Sequence, residues 1–355
     1  MTIRTLVLGA GFAKAAYLPA LSTIDDVELV AIASARLESA QAVAAQFHIP
    51  TAYADWQQAL AKHPADLVCV VTPAVYHAPM TLAALEAGAH VICEKPMAMN
   101  AVEAQGMFDR ANTLQRVHMI GHELRFNPNR RKIKQMLDSG ELGKIRHVNI
   151  VNISAGWGDP ASRPKGDWWS DAAMGGGRLG ANGSHQIDLL RYWFGDFGSI
   201  SGQIATMIPN RIDKTNNEDW TATADDQVSF LAETQSGVLA SVFLSGVVRH
   251  GVANSVQIYG SEGTLKLSDN DEKLWFARAG EDFQDISESD PNAMLPGIGK
   301  GIWNVSVVGL IQEATAAIRD KHTLGAGATF YDGLQTQQAM DAIRQSWAER
   351  RWIQM

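Results

Sequence analysis

Ile3-Arg4-Thr5-Leu6-Val7-Leu8-Gly9-Ala10-Gly11-Phe12, running on into Ala13-Lys14-Ala15-Ala16-Tyr17-Leu18-Pro19-Ala20-Leu21, is the stretch that decides the fold. An apolar run ends in a glycine turn, and alanine-rich helical sequence follows. That succession of strand, turn and helix opens a doubly wound α/β fold. The same rule repeats downstream. Val27 to Ala33 reads as a strand, Leu37 to Phe47 as a helix, and Asp66 to Thr72 as a strand stopped by Pro73. His77 to Ala87 reads as a helix ended by Gly88, and Ala89 to Cys93 as another strand. Strands alternating with helices predict a parallel sheet with ligands at the carboxyl ends of its strands.

Beyond about residue 122 strands follow one another directly: Arg146 to Ile153, Gln227 to Thr234, Val238 to Ser245, Ser255 to Tyr259 and Thr264 to Leu267. Ser236-Gly237 and Gly260-Ser261-Glu262-Gly263 supply turns, so an antiparallel sheet is expected. One helix, Ser184 to Phe194, interrupts it, and two more, Val305 to Arg319 and Tyr331 to Arg350, close the chain. Ala279 to Lys300 is polar and rich in turn formers, which predicts a long surface loop. A length of 355 residues exceeds one core. The expected architecture is therefore α/β, with a dinucleotide-binding domain over 1–122 and a second α+β domain with a large, mostly antiparallel open sheet over 123–355.

The net charge is −8 with no block of Lys or Arg, which argues against nucleic acid or anionic lipid as partner. No stretch approaches the length of a membrane span. Met1-Thr2-Ile3-Arg4 leads straight into a strand rather than through a signal peptide, and the only cysteines, Cys69 and Cys93, sit in apolar runs as reduced core thiols. The cytoplasm is the expected compartment. His, Asp and Glu show no close-spaced cluster, so no metal site is expected.

Gly9 and Gly11 suit a turn whose backbone approaches a pyrophosphate at a helix N-terminus. Lys14 stands where a third glycine would allow close helix packing; leaning over a phosphate and simple solvation both remain open to it. At the end of the second strand a carboxylate would accept a ribose 2′-hydroxyl, but the chain reads Ala33-Ser34-Ala35-Arg36. A hydroxyl and a guanidinium suit a 2′-phosphate, which favours NADP over NAD, with NAD still possible. Arg36 as an ordinary helix-entry residue is the other reading.

At the end of the strand Ala89 to Cys93 stands Glu94-Lys95-Pro96. An ammonium there would stabilise the alkoxide that develops as hydride leaves a carbinol carbon. Pro96 stiffens the turn, and its isomer is not legible in sequence. Further on, Gly175-Gly176-Gly177 precedes His185, whose place in a first helical turn disfavours imidazolium and suits a proton acceptor. A packed or capping histidine is the alternative. Asp188, one turn on, either orients that imidazole or is structural. Asp167-Trp168-Trp169-Ser170-Asp171 sets aromatic faces beside carboxylates, as a sugar-binding platform would, or as core packing would.

Thr72-Pro73 with His77, and Ala84-Leu85-Glu86-Ala87-Gly88-Ala89-His90-Val91-Ile92-Cys93-Glu94-Lys95-Pro96, resemble the signature of the glucose-fructose oxidoreductase / inositol dehydrogenase / MocA family. So do Gly9-Ala10-Gly11-Phe12, Arg125-Phe126-Asn127-Pro128, Ser139-Gly140-Glu141-Leu142-Gly143-Lys144-Ile145, Tyr259-Gly260-Ser261-Glu262-Gly263-Thr264-Leu265 and Asp341-Ala342-Ile343-Arg344. The resemblance spans both domains. It implies a Rossmann domain and a second domain whose exposed sheet face often forms a dimer interface, hence a homo-oligomer, dimer or tetramer. It also implies catalytic roles for Lys95 and His185. Cofactor contacts would come from Gly9, Gly11, Phe12, Ala13, Ser34, Arg36, Thr72, Pro73, His77, Glu94 and Lys95, with Tyr17 as a further candidate on the nicotinamide side. Substrate contacts would come from Lys95, Arg125, Trp168, Trp169, Asn182 and His185. Where many relatives carry an Asp that works with the Lys and His, this chain has Ala181.

The expected function is hydride transfer between NAD(P) and a carbinol carbon of a sugar, cyclitol or related polyol. Loss of the Asp at 181 leaves room for a glycosidase or lyase that keeps its NAD(P) and uses transient oxidation. A non-catalytic cofactor-binding regulator is the third reading, and retention of Glu94-Lys95-Pro96 and His185 argues against it.

Overall fold

A computed structural model describes residues 2–251, 254–268 and 272–355. It divides into two compact units, Met1–Asn127 with Asp290–Leu334, and Pro128–Ser289 with Gln335–Met355. Residues 290–334, expected in the second domain, thus belong with the first.

The first unit is built on β1 (Ile3–Leu8), β2 (Val27–Ala33), β3 (Ala52–Tyr53), β4 (Leu67–Val70), β5 (His90–Cys93) and β6 (His118–Ile120). They form a parallel sheet in the order β3-β2-β1-β4-β5-β6. The order reverses between β1 and β4, which makes the carboxyl ends of these strands the place for a ligand. Both faces are covered, which is why the strands read as unbroken apolar runs. Ile3, Val7, Ile32, Leu67, Cys69 and Ile92 pack into one core with Leu18, Leu21, Val307, Leu310, Ile311 and Ile318. Leu6, Leu8, Val68, Val70, Val91 and Cys93 pack into another with Ala84, Leu85, Ala104 and Met107. Cys69 and Cys93 are therefore free thiols in separate cores, and burial pushes both up. The apolar face of Ile302–Asp320 explains why the returning segment joins this unit: Gly309 lets it lie so close to Phe126 that an added Cβ would be 3.0 Å from the Phe126 Cβ.

Two histidines of this unit are held neutral. Burial lowers His77 and His118 from the ordinary 6.5 to about 4 each. At His118 the ring Nδ1 accepts the Phe330 main-chain N–H at 3.0 Å, so protonation breaks that bond. Because the folded values lie below the unfolded one, the unfolded chain binds the extra protons. Stability is full above about pH 6.5 and declines as pH falls toward about 4. Each group costs about 2 kcal/mol between pH 7 and pH 5. Urea titrations at the two pH values check this, and equal midpoints would sink it.

The second unit carries β7 (Ile145–Ile153), β8 (Phe197–Ala205), β9 (Asn210–Ile212), β10 (Asp219–Thr221), β11 (Gln227–Thr234), β12 (Leu239–Ser245), β13 (Ser255–Gly260), β14 (Gly263–Ser268), β15 (Lys273–Arg278), β16 (Gln284–Asp285) and β17 (Ile353–Gln354). Apart from the β9–β10 hairpin they form one sheet, β16-β15-β14-β13-β7-β12-β11-β8-β17 among the described residues. It is mixed rather than wholly antiparallel, since β7 and β12 pair in parallel. Alternation in β11 and β12 buries Val228, Phe230, Ala232, Ala240, Val242 and Leu244 on one face. The other face exposes Leu231, Leu239 and Phe243 and holds a cleft of about 520 Å³ lined by Asn149, Ser229, Ser241 and Trp347 among others. The stretch expected to be one long loop, 279–300, instead contributes β16 to this unit and a 3₁₀ turn, Pro291–Met294, to the first.

Candidate functional site

Gly9 follows β1 at φ +107°, and a Cβ there would lie 2.2 Å from the Val71 carbonyl oxygen, so only glycine fits where the turn leaves the sheet. A Cβ on Gly11 would meet nothing within 4 Å. The backbone of this turn is thus pressed against β4 on one side and open on the other, as a pyrophosphate-binding turn must be. The helical run over 11–21, with a π segment Ala13–Tyr17, starts at that opening. Its first N–H groups have no partner within the helix. Lys14 points outward, exposed. At the end of β2 the Ser34 N–H donates to the Tyr53 carbonyl at 3.0 Å, and Arg36 is exposed at the start of Leu37–Gln46.

Two strands away the Glu94-Lys95-Pro96 turn ends β5 on the same edge. Neighbouring strands lie about 4.8 Å apart, so the ends of β1 and β5 are about 10 Å apart across β4. The Lys95–Pro96 bond is cis. Lys95 is half-buried, whereas Glu94 is almost wholly buried, and that burial raises its carboxyl. Glu94 Oε1 accepts the Tyr17 hydroxyl at 2.7 Å, and Oε2 accepts the Lys95 main-chain N–H at 3.2 Å. Thr72 and Pro73 end β4 between them. His77, expected among the cofactor contacts, is buried, and its ring nitrogens lie 2.8 Å from the Pro96 carbonyl and 2.7 Å from the Thr72 carbonyl. The ring is engaged by the chain itself. Arg125, expected among the substrate contacts, is buried against Asp332 at 3.1 Å and the Ala326 carbonyl at 3.4 Å.

In the second unit Trp168 and Trp169 stack with ring centroids 4.0 Å apart and 27° between planes, both half-buried. Two of the glycines that follow sit where a side chain would clash. A Cβ on Gly176 would be 2.4 Å from the Trp168 carbonyl, and one on Gly177, at φ +112°, 2.4 Å from Asp225 Oδ1. The Asp225 carboxylate also accepts the Leu179 N–H at 2.8 Å, and burial raises it. Asp225 therefore anchors the start of the helix that carries His185, a role with no signal in the sequence beyond the Asp225-Asp226 pair before a strand. That helix corrects an expectation. It begins at residue 178 with a π segment, Leu179–Gly183, before the α-helix Ser184–Phe194. His185 is buried two turns inside it, beyond reach of the helix N-terminal field that was expected to keep its imidazole neutral. Asn182 lies half-buried in the π segment, beside Ala181, and Asp188 is buried one turn beyond His185. Among the described residues no three His, Cys, Asp or Glu side chains group as a metal site would require.

Residues 3–122 match the family described as an oxidoreductase family with an NAD-binding Rossmann fold, and residues 130–266 match its GFO/IDH/MocA C-terminal domain. The chain belongs to the GFO/IDH/MocA oxidoreductase family. Among family members, a levoglucosan dehydrogenase of Pseudarthrobacter phenanthrenivorans is 28% identical over 91% of this chain and 88% of that protein. An inositol 2-dehydrogenase of Rhizobium meliloti is 27% identical over 75% of each chain. A solved levoglucosan dehydrogenase complex with NADH, 25% identical, superposes with a TM-score of 0.90 over 100% of this chain and 99% of that one. Membership establishes the chain as an oxidoreductase with a nucleotide-binding Rossmann unit.

Proposed function

We propose that the chain is an NAD(P)-dependent dehydrogenase acting on the carbinol group of a sugar, cyclitol or related polyol. The observation that carries this is the placing of Lys95 on the same edge of one sheet as the Gly9–Gly11 turn, in a family whose named relatives oxidise levoglucosan and inositol. The nicotinamide, when bound, accepts the hydride. Gly9, Gly11, Phe12 and Ala13 hold the pyrophosphate by main-chain N–H groups, and Thr72, Pro73 and Glu94 line the path toward the nicotinamide. Lys95 stabilises the developing alkoxide, and His185 takes the hydroxyl proton. Trp168 and Trp169 offer apolar faces to the sugar ring, with Asn182 as a polar partner.

Ser34 and Arg36 favour NADPH over NADH, although the solved relative holds NADH. Arg36 is exposed at the end of β2 and free to reach a 2′-phosphate by charge-assisted bonds. Arg36→Ala weakens NADPH binding by about 10- to 100-fold and NADH binding little. Fluorescence titration with both nucleotides measures this, and equal affinities in the unaltered protein would remove the selector. An absorbance screen of sugars and cyclitols at the nicotinamide band then tests the function. Nucleotide binding with no absorbance change across the screen would overturn it in favour of a redox-assisted or regulatory protein.

We also place the protein in the cytoplasm as a homo-oligomer, dimer or tetramer, joined through the face that exposes Leu231, Leu239 and Phe243. Light scattering of the purified chain decides the oligomer.

A further inference from the structure

Lys95 is carried on a turn whose backbone is tied down from the phosphate-binding helix. Tyr17, the last residue of the π segment, is fully buried, and its hydroxyl donates to Glu94. The same carboxylate accepts the Lys95 N–H through its other oxygen. Gly121, just after β6, completes the seat: a Cβ there would lie 2.5 Å from Glu94 Oε1 and 2.8 Å from the Tyr17 hydroxyl. Only glycine at this position leaves room for the pair. The His77 ring meets the Pro96 carbonyl at 2.8 Å.

We propose that Tyr17 is a positioning residue, whose hydroxyl fixes the Glu94 carboxylate and through it the peptide of Lys95. This rests on the reading of Lys95 as the catalytic ammonium. Misplacing a reacting group by about 1 Å costs on the order of 100-fold in rate. A flexible lysine side chain needs its root held, and a buried carboxylate linked to two donors holds it. The groups facing Glu94 are the Tyr17 hydroxyl and the Lys95 main-chain N–H and ammonium, with Glu123 and the neutral Cys69 thiol facing Tyr17. The Tyr17 bond lowers the Glu94 carboxyl against the burial that raises it, so removing the hydroxyl raises that carboxyl further.

Tyr17→Phe keeps the ring and removes only the hydroxyl. Two measurements on the full chain test it: hydrogen exchange at the Lys95 amide, which needs no substrate, and NADH titration by fluorescence. Exchange at that amide is expected to rise by about 10-fold or more, beyond any general rise at the other amides of the parallel sheet, while NADH still binds. With any sugar turned over in the screen, kcat falls by about 10- to 100-fold at nearly constant KM, and its acid limb moves to higher pH. Unchanged exchange at Lys95 overturns the proposal, as does an acid limb that does not move. Lys95→Met keeps the two ideas apart. If it leaves the rate intact, the catalytic reading fails while the exchange result still decides whether Tyr17 holds the turn.

Discussion

Lys95→Met lowers kcat by about 1,000-fold or more while the protein keeps its fold and its nicotinamide affinity. Methionine matches the lysine stem in length and flexibility but carries no charge, so the loss isolates the ammonium. Preorganised charge at a developing oxyanion is worth about 100- to 1,000-fold, and proton handling about 100- to 10,000-fold more. Lys95 is half-buried at the end of β5, and its main chain is held by Glu94, so the substitution leaves the strand undisturbed. Steady-state rates beside a nucleotide titration give the answer. A variant within about 10-fold of the unaltered rate would remove Lys95 from the chemistry.

Gly9→Ala destabilises the protein by more than about 3 kcal/mol and abolishes nucleotide binding. Two independent costs meet at this position. The backbone angle of +107° is one that side-chain-bearing residues avoid, and the new methyl would be driven to within 2.2 Å of the Val71 carbonyl. Neither strand can yield, because Gly9 N donates to Ala33 and Val71 N to Leu8, which pins the turn to its neighbours. Gly11→Ala is the contrast, since its methyl meets nothing within 4 Å. It keeps the unaltered urea midpoint and loses only nucleotide affinity, because the methyl occupies the space the pyrophosphate needs. Were the two variants to behave alike, the roles assigned to the two glycines would be wrong.

The contrast between those glycines shows what sequence can carry. Strands β1, β2, β4 and β5 were legible because both of their faces are buried, leaving continuous apolar runs. Strands of two and three residues, β3 and β6, are too short to leave a pattern. Strand β8, Phe-Gly-Ser-Ile-Ser-Gly-Gln-Ile-Ala, hides behind small polar residues; one of its glycines is there because a Cβ at Gly202 would sit 2.8 Å from Ile343 Cγ2. The helix of His185 reads late because Gly180, Ala181, Asn182 and Gly183 look like a loop, and only tertiary packing turns them into a π segment. At the site the order was reversed. Lys95 and the glycine turn were visible as motifs, whereas the groups that hold them, Tyr17 with Glu94 in one unit and Asp225 in the other, are joined by contacts 77 and 46 residues apart in the chain. No periodicity encodes a hydrogen bond of that span.

The return of residues 290–334 to the first unit also orders events during synthesis. Val307, Leu310, Ile311 and Ile318 belong to the same core as Ile3, Val7 and Leu21. A ribosome that has delivered the whole parallel sheet has therefore delivered one with a face covered only in part, by the helical runs that carry Leu21 and Val43. The rest of that face stays uncovered through translation of β7 to β16, so the nascent chain must keep its first strands from pairing elsewhere until Ile302–Asp320 emerges.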